Sequence, residues 1–135
     1  VESVCKSYKP DIVILDMGDK FARTAGFARA DEALKANAIH ARMIAKEHEC
    51  AIFYMSQLSA DAEGKVLLNQ SMMEGSRTGK AAEADLMILI AKNPPRQDAE
   101  EEDLQRHLNV VKNKLTGWHG VVHCNLNYQV GRYEV

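Results

Sequence analysis

The sequence lacks the features that identify membrane-spanning, secreted and disulfide-stabilised proteins. It contains no uninterrupted run of about 18 apolar residues, the length that a membrane-spanning helix needs. It begins at Val1 and has no basic segment followed by an apolar signal core. The three cysteines, Cys5, Cys50 and Cys124, are odd in number and far apart, which argues against a disulfide framework. We therefore expect a cytoplasmic protein without a membrane partner, and the start at Val1 predicts the middle of a longer protein.

An excess of positive charge is also missing. The 17 lysines and arginines are outnumbered by 19 aspartates and glutamates, which gives a net charge of −2. This excludes a uniformly basic nucleic-acid-binding module, so any contact with DNA must come from local groups of basic side chains. With 46% hydrophobic and 27% charged residues, residues 1–135 have the composition of one globular domain or a large part of one.

Metal-ligand spacing is absent as well. No C-x-x-C pair occurs, and the two groups of potential ligands, His48 with Cys50 and His119 with His123 and Cys124, fall where strands are expected. We therefore predict that the cysteines are buried thiols and that neither group holds a metal.

The first half of the chain has the pattern of a strand–helix–strand unit. The apolar run Asp11–Asp16 follows Pro10 and predicts a strand buried on both faces, as in a parallel sheet. Asp31 is the predicted N-cap of a helix that continues to about Glu49, with an apolar face formed by Leu34, Ala38, Ala41 and Ala45. Ala51–Ser56 predicts the second strand. The unit places the carboxyl ends of both strands at one edge, where open parallel sheets bind ligands.

The second half of the chain predicts a different architecture. A long polar loop at Gln57–Arg77 and a short helix at Thr78–Ala84 lead into an apolar strand at Leu86–Ile90. Consecutive antiparallel strands are expected after it, at Leu108–Leu115, Gly120–Asn127 and Arg132–Val135. The predicted fold class is therefore α/β, with parallel strands and helices followed by C-terminal antiparallel strands.

Two polar residues end neighbouring strands at the expected ligand edge. Asp16 has the chemistry to hold Mg²⁺ through water beside a nucleotide phosphate, and Gln57 has the chemistry to sense a γ-phosphate or its attacking water. Either residue alone is an ordinary polar end of a strand in an α/β protein. The functional interpretation depends on the two positions being one crossover apart.

Basic residues form two loop groups and one strand pair. Those in the loops are candidates for gripping a DNA backbone, with dispersed surface charge as the alternative: Lys20, Arg23, Arg77 and Lys80. Lys112 and Lys114 alternate onto one face of a predicted strand. This pair either faces solvent or reaches a phosphate held by a neighbouring subunit.

The segment Gly75–Lys80 approaches the pattern of a phosphate-binding loop without matching it. Three residues instead of four separate its glycines, and Ala81 follows the lysine where the pattern requires Ser or Thr. The segment also follows a loop rather than a strand. We therefore reject it as a Walker A motif.

Taken in this order, the motifs resemble the RecA-like core of ring-forming replicative DNA helicases, the DnaB-type helicases and phage primase-helicases. Asp11–Asp16 is similar to the Walker B strand, and Phe53–Leu58 is similar to the strand that ends in the phosphate sensor. Gly75–Asp85 is similar to the second DNA-binding loop and the helix after it. Val111–Gly117 is similar to a late strand whose Lys-x-Arg pair acts on ATP bound to the adjacent subunit. The resemblance covers nearly the whole chain.

The resemblance implies an ATP-dependent helicase of a bacterium or phage-infected cell that moves on single-stranded DNA as a homo-oligomeric ring, expected to be a hexamer. Asp16 would be the Mg²⁺-associated acid and Gln57 the phosphate sensor. Lys112 and Lys114 would act in catalysis at the adjacent subunit, although Lys114 stands where the family has an arginine, and a lysine lacks the bidentate fork.

The family's Walker A strand and loop and its strand with the catalytic glutamate, which precede the Walker B strand, are absent. Residues 1–135 are therefore predicted to be a partial P-loop NTPase core that is inactive alone and binds ATP, another NTP or Mg²⁺ only weakly. A recombinase or other RecA-like ATPase is one alternative. A non-catalytic, stand-alone domain that binds DNA or a helicase subunit is the other.

Overall fold

The computed structural model describes residues 1–21, 29–75, 79–94 and 103–135. Two units, each containing its own sheet, make up the chain. Unit 1 comprises Val1–Leu58 and Met73–Ala84, and unit 2 comprises Ser59–Met72 and Asp85–Val135. Among the described residues, no helix is both long enough and apolar enough to cross a membrane.

Unit 1 contains a β–α–β unit flanked by two short helices. Its elements are α1 (Glu2–Tyr8), β1 (Ile12–Leu15), α2 (Ala30–Glu47), β2 (Ala51–Tyr54) and α3 (Gly79–Glu83). The two strands are parallel, with Ile12 opposite Ala51 and Leu15 opposite Tyr54. The predicted strand–helix–strand unit is therefore confirmed.

Helix α2 begins at Ala30, and the predicted N-cap role of Asp31 is wrong. Arg29 occupies the N-cap position with an extended backbone, and Asp31 lies in the first turn. Its carboxylate accepts two hydrogen bonds from the Arg29 guanidinium, at 3.0 and 2.9 Å. This partner lowers the pKa of Asp31. The buried side chains of the helix are Ala33, Ala38, Ala41 and Ile44, a face slightly rotated from the predicted one.

The core of unit 1 lies on one face of the β1–β2 sheet. Its buried cluster, with the strand residues that pack on it, consists of Cys5, Ile44, Cys50, Val13 and Ile52. On the other face, Ile12 is 58% exposed, Ile14 63% and Phe53 53%. The prediction that the first strand is buried on both faces is therefore wrong among the described residues. Side chains alternate along a strand, so a sheet covered on one face leaves every second residue open.

Unit 2 is an antiparallel sheet in which the strands follow one another in chain order. The strands are β3 (Leu86–Lys92), β4 (Gln105–Asn113), β5 (Gly120–Asn127) and β6 (Arg132–Glu134). The prediction of consecutive antiparallel strands at the C-terminal end is confirmed, with β4 beginning earlier than expected. β3 pairs antiparallel with β4. Parallel pairing among the described residues is therefore confined to β1 and β2.

A buried amide attaches the long loop of unit 2 to this sheet. The Asn109 side chain accepts a hydrogen bond from the Leu68 backbone N at 3.1 Å and donates one to the Val66 carbonyl at 3.0 Å. Asn109 is only 3% exposed, and a buried amide needs such partners because desolvation without them costs about 1–3 kcal/mol. Gln70 adds a bond to the Val111 carbonyl at 2.9 Å. The loop is therefore an ordered layer on the sheet.

Candidate functional site

The two candidate catalytic residues, Asp16 and Gln57, follow the parallel strands β1 and β2 at the same edge. Hydrogen bonding continues beyond the strands, because Met55 N donates to the Leu15 carbonyl at 3.1 Å and Gly18 N donates to the Met55 carbonyl at 2.9 Å. Asp16 and Gln57 are both exposed. A carboxylate and an amide at this edge have the chemistry to hold Mg²⁺ and orient a water beside a phosphate.

A metal ion beside Asp16 would need ligands other than the described side chains. Within the described part of the chain, no group of three or more His, Cys, Asp or Glu side chains is arranged to hold a metal ion. Asp16 fits a Mg²⁺ ion that keeps several waters and takes its remaining ligands from a nucleotide phosphate, since this ion is usually bound through one or two carboxylates.

A second acid at this edge, Asp19, lies in a buried cluster that sequence reasoning missed. The Lys80 ammonium donates to both Asp19 carboxylate oxygens at 2.8 Å and to the Ser56 hydroxyl oxygen at 2.7 Å. Ser56 in turn donates to Asp19 at 2.6 Å, and the Tyr54 hydroxyl donates to it at 3.3 Å. The side chains of Lys80 and Asp19 are 3% and 13% exposed. We call these four residues the Asp19–Lys80 cluster.

The cluster joins three parts of unit 1. Asp19 belongs to the 3-10 turn Gly18–Lys20 after β1, Tyr54 and Ser56 belong to β2 and its exit, and Lys80 belongs to α3. Burial first, and then the charge of Asp19, raise the pKa of Tyr54 above its ordinary range. The tyrosine hydroxyl therefore stays protonated and remains a donor to Asp19.

Two glycines permit the close approaches around the site. A Cβ atom on Gly18 would lie 2.4 Å from Cζ of Tyr54, so the backbone of the 3-10 turn packs flat against that ring. Gly75 has a φ of +76°, and a Cβ atom there would lie 2.2 Å from Cδ1 of Leu34 on α2. Only glycine adopts such a φ without strain. At both positions a side chain would therefore collide with a neighbouring residue, Tyr54 or Leu34.

The backbone of Gln57 is bonded to the start of the next loop. Glu74 N donates to the Gln57 carbonyl at 3.1 Å, and Leu58 forms an isolated antiparallel bridge with Met73. A displacement of the Gln57 backbone would therefore also displace Glu74 and Gly75. This connection links the candidate phosphate sensor to the segment that resembles a DNA-binding loop.

The predicted DNA-contacting residues have different surroundings. Lys20 is exposed in its 3-10 turn. Arg23 and Arg77 lie outside the described residues. Lys80 is buried, and the three protons of its ammonium all have protein acceptors. Its geometry favours a structural role, because none of its donors is left for a DNA phosphate. The signal for this in the sequence is weak: small residues surround it in Gly79-Lys80-Ala81-Ala82.

The two late lysines belong to unit 2. Lys112 is half-buried within β4, opposite Met87. Lys114 follows the end of that strand, with its backbone N bonded to the Asp85 carbonyl at 2.8 Å. Its ammonium lies 3.4 Å from the Asp85 carboxylate, and the two side chains are 46% and 54% exposed. Lys114 therefore presents its charge at the surface of the unit.

The fold of the chain is similar to those of two solved structures, a DnaB-like replicative helicase and an ATPase domain. One solved structure, that of a DnaB-like replicative helicase and its interactions with primase, superposes with a TM-score of 0.73 at 17% identity. A second solved structure, that of an ATPase domain, superposes with a TM-score of 0.74 at 18% identity. Each match covers 91% of this chain. The resemblance inferred from the motifs is thereby confirmed in the fold.

The chain spans less than half of either similar protein. It matches 29% of the DnaB-like helicase chain and 43% of the ATPase-domain chain. No protein-family model and no curated protein sequence matches it. The similarity therefore rests on three-dimensional structure.

Proposed function

We propose that this chain is part of the RecA-like ATPase domain of an ATP-dependent replicative DNA helicase that moves on single-stranded DNA as a ring, expected to be a hexamer. The observation that carries the proposal is the placement of Asp16 and Gln57, both exposed, after two neighbouring parallel strands. Helicase ATPase domains with the same fold support it. In this proposal Asp16 holds Mg²⁺ through water.

Gln57 would report the state of the phosphate to the DNA-binding segment. Its side chain would contact the γ-phosphate or the attacking water, and its carbonyl already accepts the hydrogen bond from Glu74. Loss of the γ-phosphate would shift Gln57 and, through this bond, the segment that begins at Gly75. Lys20, Arg23 and Arg77 would contact the DNA phosphates.

Hydrolysis would need two contributions from outside residues 1–135. The sequence contains no G-x-x-x-x-G-K-[ST] pattern, so the loop that fixes the β- and γ-phosphates would lie elsewhere in the protein. The adjacent subunit would supply the other contribution through its own Lys112 and Lys114, which would stabilise the charge that develops during phosphoryl transfer.

An ATPase assay tests the catalytic part of the proposal. Purified residues 1–135, with single-stranded DNA and Mg²⁺ present, should hydrolyse no ATP, because Asp16 and Gln57 cannot fix the triphosphate without a phosphate loop. Asp16→Ala is the control for contaminating enzymes. A rate that disappears in this variant would show that the chain carries a complete site and would overturn the prediction that the phosphate loop lies outside residues 1–135.

Titration of labelled single-stranded DNA at several salt concentrations tests the DNA part. If Lys20, Arg23 and Arg77 each neutralise one phosphate, the log–log slope of affinity against salt should be about −2, at roughly −0.7 per contact. Arg77→Ala should make the slope shallower by about one contact. An exposed lysine away from these segments, Lys46 on α2, supplies the control as Lys46→Ala. Absence of binding at low salt would count against a DNA role for this chain.

A further inference from the structure

We infer that Lys80 and Asp19 are positioning residues: their buried ion pair fixes helix α3, and with it the segment beginning at Gly75, onto the carboxyl end of β2. The inference assigns Lys80 a task different from the DNA contact that its place in a basic segment predicts. Its structural part stands on the contacts of unit 1 alone, whereas its consequence for DNA binding rests on the proposed function.

The hydrogen bonding of the pair is complete. Lys80 has three N–H donors, and these meet two oxygens of Asp19 and the hydroxyl of Ser56. The Asp19 carboxylate also accepts from the hydroxyls of Ser56 and Tyr54. A buried ion pair is tolerated only when its remaining donors and acceptors are satisfied in this way. Removal of either partner leaves the other charge buried without compensation.

The cluster acts at one end of a segment whose other end is also anchored to the exit of β2. At the first end, Glu74 N donates to the Gln57 carbonyl at 3.1 Å. At the second end, Lys80 donates to Ser56, the residue immediately before Gln57. Two consecutive residues of the β2 exit therefore hold the chain immediately before Gly75 and immediately after Gly79. A movement of this exit would reach both ends of the segment together.

Helix α3 has a further attachment to unit 1. The Arg42 side chain on α2 donates to the Glu83 carbonyl at the end of α3, and Ala84 N donates to the Lys80 carbonyl at 3.3 Å. Arg42 holds the carboxyl end of α3, and the Asp19–Lys80 cluster holds the amino end. Loss of the cluster should loosen the amino end, including the Lys80 carbonyl to which the Ala84 amide is bonded.

Amide hydrogen exchange in residues 1–135 tests the structural part without DNA. Lys80→Met and Asp19→Asn should each speed exchange at Ala84 and Glu74 by at least about tenfold more than at Lys9, whose amide bonds to Cys5 in α1. The double variant should add little, because the pair acts as one unit. Asp31→Asn, which breaks the exposed Arg29–Asp31 pair, is the matched control and should leave these amides unchanged.

Single-stranded DNA affinity tests the functional consequence, and Asp19 gives it a distinctive sign. If charge alone mattered, Asp19→Asn would tighten binding and Lys80→Met would weaken it while reducing the salt slope by about 0.7. A positioning role predicts that both variants weaken binding to labelled oligo-dT by a similar factor, on the order of threefold to tenfold, with the salt slope unchanged because no phosphate contact is lost.

The possible outcomes separate the two proposals. Uniformly faster exchange, or unchanged exchange at Ala84 and Glu74, would overturn the positioning role whatever the DNA result. Localised faster exchange with no DNA binding by the unaltered chain would support the positioning role and overturn the DNA part of the proposed function. Tighter DNA binding by Asp19→Asn, together with a shallower slope for Lys80→Met, would make Lys80 a phosphate contact instead.

Discussion

Lys80 and Lys114 show how burial decides what an ammonium group can do. Lys80 is 3% exposed and is bonded at 2.7–2.8 Å to partners on two other segments. Lys114 is 46% exposed and has a 3.4 Å contact with Asp85. Breaking a buried pair typically costs about 3–5 kcal/mol, whereas an exposed pair contributes about 0–1 kcal/mol. Lys80 therefore stabilises the packing of unit 1, whereas the Lys114 ammonium is accessible to solvent at the surface of unit 2.

A histidine pair in unit 2 has a defined proton arrangement. His107 Nε2 lies 2.9 Å from Oδ1, the side-chain amide oxygen of Asn93. This oxygen only accepts hydrogen bonds, so Nε2 carries the proton of neutral His107. Its Nδ1 then accepts from His123 Nδ1 at 2.7 Å. The Asn93 amide donates to Asp103 and Gln105, which fixes its orientation. Protonation of His107 would place two donors face to face.

The stability of the chain should therefore fall in mild acid. Burial first, and then the neighbouring His123, lower the pKa of His107 below its ordinary value of 6.5, although Asp103 acts in the opposite direction. The unfolded chain then binds a proton at higher pH than the folded chain, so stability is full above about pH 6.5 and is lost as the pH falls below it. Urea unfolding followed by circular dichroism at a series of pH values measures this.

Two variants identify the residue responsible. His107→Gln should make the loss of stability between about pH 7 and pH 5 shallower, because the depressed pKa is removed. His119→Gln, an exposed histidine, should follow the unaltered chain. Equal pH profiles for all three proteins would show that the histidine pair does not govern acid stability.

Gly18→Ala should destabilise unit 1 because the added methyl group would collide with the Tyr54 ring. The contacts of the added Cβ would be 2.4–2.6 Å, so the ring or the turn must move. Overpacking of this kind costs about 1–3 kcal/mol. Thermal or urea unfolding measures the loss, with Gly64→Ala, which meets nothing within 4 Å at a positive φ, as the control for loss of glycine alone. If Gly18→Ala costs as much stability in a Tyr54→Leu background as in the unaltered chain, the ring is excluded as the cause.

At the scale of elements, each sheet has an open apolar face. On β3, Leu86, Ile88 and Ile90 are 43–46% exposed, whereas Met87, Leu89 and Ala91 are buried. On the β1–β2 sheet the open residues are Ile12, Ile14 and Phe53. The same residue types therefore contribute very differently to stability according to the face on which they lie.

Substitutions in the α2 core that covers one face of the β1–β2 sheet and on the open face of that sheet should differ strongly in their cost in stability. Ile44→Ala, in the buried cluster at 4% exposure, should cost about 2–5 kcal/mol because it removes buried methylene groups and leaves a cavity. Ile14→Thr, at 63% exposure, should cost less than about 1 kcal/mol and preserve β propensity. Unfolding midpoints measured in urea for both variants check this. A large loss for Ile14→Thr would mean that the open face is covered in solution.

The sequence predicted element types well where apolar periodicity was strong. The β–α–β unit and β5 at Gly120–Asn127 match the pattern of their residues. The two-sided burial of β1 was predicted wrongly, because a continuous apolar run shows that two faces are apolar but not that both are covered. The Asp19–Lys80 cluster could not be predicted, since its members lie up to 61 positions apart and meet only through the packing of α3 and β2. The roles of Asp16 and Gln57 stay predictions from the sequence pattern: Asp16 directly follows β1, and Gln57 lies three residues beyond the end of β2.

At the scale of the whole molecule, the two similar proteins indicate how much of an ATPase domain residues 1–135 do not match. The chain matches 29% and 43% of the two similar proteins, which therefore contain much that residues 1–135 do not. Unit 1 holds the candidate metal and sensor residues, and unit 2 holds Lys112 and Lys114. In a homo-oligomeric ring, every copy would offer both sets of residues. Lys114 would then act on the nucleotide of the next copy.

In a ring of the proposed helicase, Lys114 should be required for hydrolysis but not for nucleotide binding. A cationic residue that acts across an interface contributes about 10³–10⁵ in rate when it is an arginine. A lysine offers a point charge without bidentate geometry, so we expect Lys114→Ala to lower kcat by at least about tenfold and Lys114→Arg to be tolerated. ATP affinity should change little. The exposed Lys46 on α2, changed to alanine, is the matched control.

Mixing of subunits decides whether Lys114 acts on its own site or on its neighbour's. If each Lys114→Ala subunit disables the site of an adjacent copy, and hydrolysis around the ring is coupled, activity should fall faster than the fraction of unaltered subunits. Asp85→Asn gives a second comparison, because it releases the 3.4 Å contact that orients the Lys114 ammonium without removing the charge. It should lower the rate less than Lys114→Ala does. Recovery of activity when Lys114→Ala subunits are mixed with Asp16→Ala subunits would show that Lys114 acts on the neighbour's site. No recovery would place Lys114 outside the interface, and full activity of the all-Lys114→Ala ring would remove it from catalysis.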